Sequence, residues 1–155
     1  MKIYTVAFFG HRKIKDLCRV EEKLNIIIRR LLYEHTYVDF LIGRNGDFDQ
    51  IVSSTIRRVK NSVGEANISH ILVLPYETAE FRNNIISFEN YYDEIEICEE
   101  SASAHYKSAI QIRNRKMVDR ADFIIFFVEN GKGGAYETLN YTKKQGKPLL
   151  NIAME

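Results

Sequence analysis

The passage that most constrains this chain lies between residues 123 and 145. An unbroken apolar run, Phe123-Ile124-Ile125-Phe126-Phe127-Val128, leads into Gly131, Gly133 and Gly134 and then into a helical pattern over 135–145. A run this short and this rich in aromatic and β-branched residues reads as a strand buried on both faces, and such strands belong to parallel sheets covered by helices on each side. A glycine turn between strand and helix exposes backbone N–H groups beside the positive end of a helix dipole, a natural seat for phosphate or carboxylate.

The same order recurs along the chain. Residues 3–9 form a β-rich run ending at Gly10, followed by Leu and Ile at helical spacing over 16–34. Residues 38–42 make a second strand closed by Gly43, and the turn Arg44-Asn45-Gly46-Asp47 precedes a helical stretch from about 48 to 63. A third strand at 70–74 ends on Pro75. Helical periodicity over 104–120 precedes the 123–128 strand, and a last strand falls near 148–152. Residues 76–103 are irregular and rich in aromatics and acids, with room for a short strand at 94–97.

Strands alternating with helices predict an α/β fold with right-handed crossovers, a doubly wound parallel sheet of about five strands in the order 3-2-1-4-5 with helices on both faces. At 155 residues and 45% hydrophobic content, one domain over 1–155 with an irregular insertion around 76–103 is expected. Ligands of such sheets sit where the strand order reverses, here between the first and fourth strands. Three glycine loops, at Gly10, Gly43 and Gly131, converge on that edge.

Composition narrows the function classes. Lys+Arg 22 against Asp+Glu 21 gives a formal charge of +1, so no global field attracts duplex nucleic acid or an acidic membrane, and nucleic acid is not an expected partner. No stretch is long enough to span a bilayer and no signal-peptide pattern follows Met1, which predicts a soluble cytoplasmic protein with no membrane partner. Cys18 and Cys98 are isolated and read as reduced thiols, and His11, His35, His70 and His105 are scattered. Neither a metal nor a cofactor is implied.

The loops carry the candidate ligand residues. Gly10-His11-Arg12 offers a tight turn, a titratable ring and a fork-shaped cation suited to phosphate, or simply a turn with two solvated side chains. The ordinary GxGxxG fingerprint is absent after the first strand. Gly43, Arg44, Asn45, Gly46 and Asp49 place two glycines where the backbone must approach something closely, followed by an acid in a helix first turn. Asp49 is either an acceptor for a ribose hydroxyl or a complement to the helix N-terminus worth about 1 kcal/mol. Asn130, Gly131, Lys132, Gly133 and Gly134 form the third loop. Arg115 and Lys116 read as solvated, while Tyr76, Phe81, Tyr91 and Tyr92 are either a cover for a base or an aromatic mini-core.

Taken in order, these loops resemble the SLOG superfamily, a Rossmann-like group that unites the DNA-processing protein DprA, the Lonely Guy cytokinin-activating enzymes and small YpsA-like proteins. Phe9-Gly10-His11-Arg12 is similar to the GHR or GYR start of the YpsA-like branch. Gly43 through Asp49 resembles the GGxxGxD turn with Arg44 in place of the second glycine, and Arg113 through Asp122 followed by Gly131-Lys132-Gly133-Gly134-Ala135 matches the third signature. The resemblance to Lonely Guy enzymes implies a homodimer and an N-glycosidic hydrolase in which Glu137 and Arg113 are the catalytic pair. In their PGGxGTxxE motif, however, Glu129 stands here for the proline, Asn130 for the first glycine and Gly134 for the threonine. The leading expectation is therefore a module that binds a nucleotide or nucleotide-derived small molecule, as sensor or sequestering device. The alternative is a phosphoribohydrolase acting on a nucleoside monophosphate.

Overall fold

Within each central strand the side chains divide evenly between two cores. In β1 (Ile3–Gly10), Val6 and Phe8 join one hydrophobic cluster and Ala7 and Phe9 the other, all four buried; a strand period of two makes that separation automatic. The computed structural model describes residues 2–64 and 67–154. Residues 1, 65, 66 and 155, which belong to the expected 1–155 domain, lie outside the described residues.

β1 is followed by α1 (Leu17–Glu34), β2 (Tyr37–Ile42), α2 (Asp47–Val63) and β3 (Ile68–Leu74). Next come α3 (Ala79–Arg82), α4 (Ile85–Tyr91), β4 (Glu94–Ile97) and α5 (Glu99–Ala102). The chain closes with α6 (Tyr106–Arg120), β5 (Phe123–Phe127), α7 (Gly134–Lys144), β6 (Leu149–Asn151) and a 3-10 turn at Ile152–Met154. All pairings are parallel, in the order β4-β3-β2-β1-β5-β6. The five expected strands keep their expected order. A sixth, β4, extends the sheet beyond β3, and Glu94 and Ile97 on it are exposed.

α1 and α2 cover one face, where Leu24, Ile28, Val52 and Ile56 pack on Val6, Phe8, Phe40 and Ile42. α6 and α7 cover the other through Met117, Val118 and Leu139 against Phe9, Leu41 and Phe126. Each of these large side chains contributes roughly 1.5–3 kcal/mol by leaving water. α1 starts where the Asp16 carboxylate accepts the Arg19 N–H at 3.1 Å. No helix among the described residues is long and apolar enough to cross a membrane.

His70 lies inside this framework on β3, with Nε2 2.8 Å from Ser53 Oγ. Burial pushes its pKa down from 6.5 to about 4, against the pull of Asp93. Between those two pH values the unfolded chain binds a proton that the folded chain refuses, so stability falls as pH drops through the window. The two states differ by roughly 3 kcal/mol below about pH 4. Urea unfolding at pH 7 and pH 4.5 is expected to show a marked loss in the wild type and a smaller one in His70→Gln.

Candidate functional site

The sheet order reverses at β1, whose neighbours are β2 and β5. Just beyond the carboxyl ends of these strands lies a hollow of about 350 Å³ lined by residues of all three glycine loops and of α6. From the sequence candidates it gathers Gly10, His11, Arg12, Gly43, Asn45, Asp49, Arg113, Gly133 and Gly134. A larger hollow of about 640 Å³ lies beside it, toward α4, and is lined by Arg44, Glu80, Phe88, Tyr91 and Tyr92. Its arginine is already engaged. Arg44 binds Glu80 through Nε at 3.0 Å and Nη2 at 3.2 Å, donates Nη1 to the Tyr92 hydroxyl at 2.9 Å and lies over the Phe88 ring. The smaller hollow is the one with uncommitted donors.

The glycines earn their places in different ways. A Cβ on Gly10 would lie 2.3 Å from Phe48 Cγ, and one on Gly46 would lie 2.5 Å from Arg12 Cα. The close approach expected at Gly46 is therefore made to the protein's own atoms, as is the packing around Gly10. At Gly46 the contact docks α2 onto the first loop: the Asp47 N–H donates to the Arg12 carbonyl at 2.8 Å, and the Ile14 N–H returns to Asp47 Oδ2 at 3.0 Å. The α2 N-terminus is thus covered by residues 12–14.

The α7 N-terminus is open. Its N-cap, Gly133, has φ of 97°, a left-handed conformation that a glycine adopts without strain, and no side chain caps it. The first helical bond is Glu137 N–H to Gly133 O, which leaves the amides of Gly134, Ala135 and Tyr136 without intrahelical partners. The Arg12 side chain, exposed at the mouth of the hollow, has no hydrogen bond or ion pair among the described residues, nor does that of Asn45. His11 Nε2 accepts the Glu129 N–H at 2.8 Å, which puts the proton of the neutral ring on Nδ1. Partial burial lowers the His11 pKa, opposed by Glu129.

The floor is formed by a buried cation and a buried anion. Arg113, 2% exposed, donates Nη1 to the Val73 carbonyl at 2.7 Å and Nε to Asn114 Oδ1 at 3.0 Å, and Asn114 reaches Thr138 Oγ1 at 3.1 Å. Asp49 Oδ2 accepts the N–H of Asn45, the residue before the Gly46 N-cap of α2, at 2.8 Å. Gly43 separates the two charges: a Cβ there would lie 3.1 Å from Arg113 Nη1 and 3.2 Å from Asp49 Oδ2. Burial raises the Asp49 pKa while the Asn45 amide, Arg113 and Arg12 lower it. Burial likewise lowers that of Arg113, with Asp49 opposing.

Several sequence candidates fall elsewhere. Arg44 faces the larger hollow because Glu80 and Tyr92 hold it there. Asn130, Gly131 and Lys132 are exposed and do not line the smaller hollow. Glu137 is exposed on α7 and absent from the lining, whereas Arg113 lines the hollow together with Asp49. Of the aromatic candidates, Phe81, Tyr91 and Tyr92 pack with Phe88 and His70 into a mini-core. Arg115 and Lys116 are exposed, Arg115 over the Tyr141 ring and Lys116 beside Glu100.

Sequence reasoning passed over Asn114, which joins Arg113 to α7. A signal existed: α6 buries Ala109, Arg113 and Met117 at intervals of four, which places the arginine on the inward face with the asparagine beside it.

No family model and no curated protein matches the sequence. Solved structures do. DNA processing protein A from Streptococcus pneumoniae superposes with a TM-score of 0.67 at 14% identity, over 95% of this chain and 49% of that one. This chain has its fold. DNA processing protein A from Helicobacter pylori, described for its single-stranded DNA binding mode, gives a TM-score of 0.63 at 17% identity, over 94% of this chain and 63% of that one. The chain thus spans about half to just under two thirds of the length of these proteins. At this identity the likeness shows a shared Rossmann-like fold. It also corrects one expectation. Near-zero net charge does not set nucleic acid aside, because a protein of this fold is described by how it binds single-stranded DNA. Net charge averages over the whole surface and so says nothing of a locally basic edge.

Proposed function

We infer that this chain is a nucleotide-binding module, and that the hollow at the β1–β5 switch point takes the phosphate and sugar of one nucleotide. One observation carries the reading: uncommitted donors from separate loops, the Arg12 guanidinium and the leading amides of α7, border a single hollow whose lining also includes Phe8, Phe9 and Ile110. Phosphate is the group these donors suit, since helix-terminal amides and a fork-shaped guanidinium both favour a multidentate anion. Gly10-His11-Arg12 groups the chain most closely with the small YpsA-like proteins, and the isolated thiols Cys18 and Cys98 suit the cytoplasm.

A second reading has a specific observation behind it. The Helicobacter pylori protein of this fold binds single-stranded DNA, so the nucleotide held here is either free or one unit of a strand. The hydrolase reading has less support, because Glu137 is exposed outside the hollow while the buried Arg113 is hydrogen-bonded to Val73 and Asn114.

Arg12→Ala is expected to weaken binding of nucleoside monophosphates by about tenfold or more, the scale of a lost charge-assisted hydrogen bond. Because the side chain is exposed and makes no hydrogen bond or ion pair among the described residues, the melting temperature should fall only slightly, through the charge lost beside Asp49. Glu137→Ala should leave affinity unchanged. Calorimetry on the wild type and both variants tests the reading, and a wild type that binds no nucleotide, free or in a strand, would sink it.

A further inference from the structure

We propose that Asp49 reads the sugar: its carboxylate accepts the 2′-hydroxyl of a ribose, so the ligand of this hollow is a ribonucleotide. This rests on the nucleotide reading above and adds the identity of the pentose. Asp49 is 9% exposed and lines the same hollow as Arg12 and Gly133. Its Oδ2 takes the Asn45 N–H, whereas Oδ1 receives no hydrogen bond from the described residues. Arg113 supplies compensating charge without filling that position, since its Nη1 and Nε are bound to Val73 and Asn114.

A charged acceptor on the floor of the hollow is strongly complementary to an uncharged donor. It is the wrong place for a phosphate, because two anions in a partly desolvated hollow repel each other. The phosphate is therefore assigned to the α7 amides and Arg12, and the group attached directly to it is the pentose, whose hydroxyls then share the hollow with Asp49. Phosphate on a helix N-terminus with a ribose hydroxyl on a nearby acid is also the division of labour that dinucleotide-binding sheets use.

The test is calorimetry of the four ribonucleoside 5′-monophosphates and their 2′-deoxy counterparts, with single-stranded RNA and DNA of one sequence alongside. Measurements use the wild-type chain, Arg12→Ala and Asp49→Asn. The expected result is that the ribo member of each pair that binds does so about tenfold or more tightly than the deoxy member, and that Asp49→Asn brings the ratio toward one. A preference among the monophosphates assigns the ribose to a free nucleotide, and one confined to the oligomers assigns it to an RNA strand; either supports the proposal. If ribo and deoxy members bind equally while Arg12→Ala weakens both, the nucleotide reading stands and the role of Asp49 is overturned. If nothing binds, both fall. Should Asp49→Asn fail to fold, the wild-type ratio alone decides.

Discussion

Arg113→Met is expected to lower the unfolding free energy by about 3–5 kcal/mol, the scale for removing one partner of a buried charge pair. The cost has two physical sources. The Val73 carbonyl loses its donor at 2.7 Å, and Asp49 is left buried without the cation that opposes its desolvation. A methionine of similar length fills much of the space, so the loss is electrostatic more than steric. Urea unfolding of Arg113→Met, Asp49→Asn and the double variant separates these causes, because removing both charges should cost less than the sum of the single changes. A loss below about 1 kcal/mol in Arg113→Met would show that the floor pair is not the electrostatic unit described here.

Gly10→Ala is expected to be the most damaging change of a single methyl group. The added Cβ would lie 2.3, 2.5 and 2.7 Å from the Cγ, Cδ2 and Cβ of Phe48, a fully buried side chain whose root cannot swing aside. Overpacking of this kind costs about 1–3 kcal/mol and occasionally more, and here the upper end is expected because both partners belong to core elements, β1 and α2. Thermal unfolding measures it. Phe48→Leu should relieve part of the clash, so the double variant is expected to be more stable than the two single losses predict, and strict additivity would contradict the packing account. The same change at Gly133 meets no neighbouring atom but forces φ of 97° on an alanine, a strain of backbone alone.

These two positions show what could and could not be read from the chain. Gly46 stands out in the sequence as a site of close approach and Gly10 as a tight turn off its strand. What approaches them, Phe48 and the Arg12 backbone, is the protein itself, which neighbour-to-neighbour patterns cannot distinguish from a ligand. Arg44 carries the same lesson: its place in a glycine loop points to the ligand edge, yet Glu80 and Tyr92, contributed by the irregular segment, draw it to the other side. β4 was marked only as room for a strand because its residues are half-buried or exposed and form no apolar run.

By itself the sequence determined the layered architecture, the order of the five main strands and the edge at which the loops gather. Those properties follow from hydrophobic periods of two and of about 3.6 residues and from glycine punctuation, which are local and survive in a linear reading. Only the tertiary structure decided which donors remain free. That the α7 amides and the Arg12 side chain stay open, that residues 12–14 cover the α2 terminus, and that Arg113 is bound to the Val73 carbonyl all depend on contacts between distant segments. Side-chain partners are chosen by packing and desolvation in three dimensions, and no period in the chain encodes them.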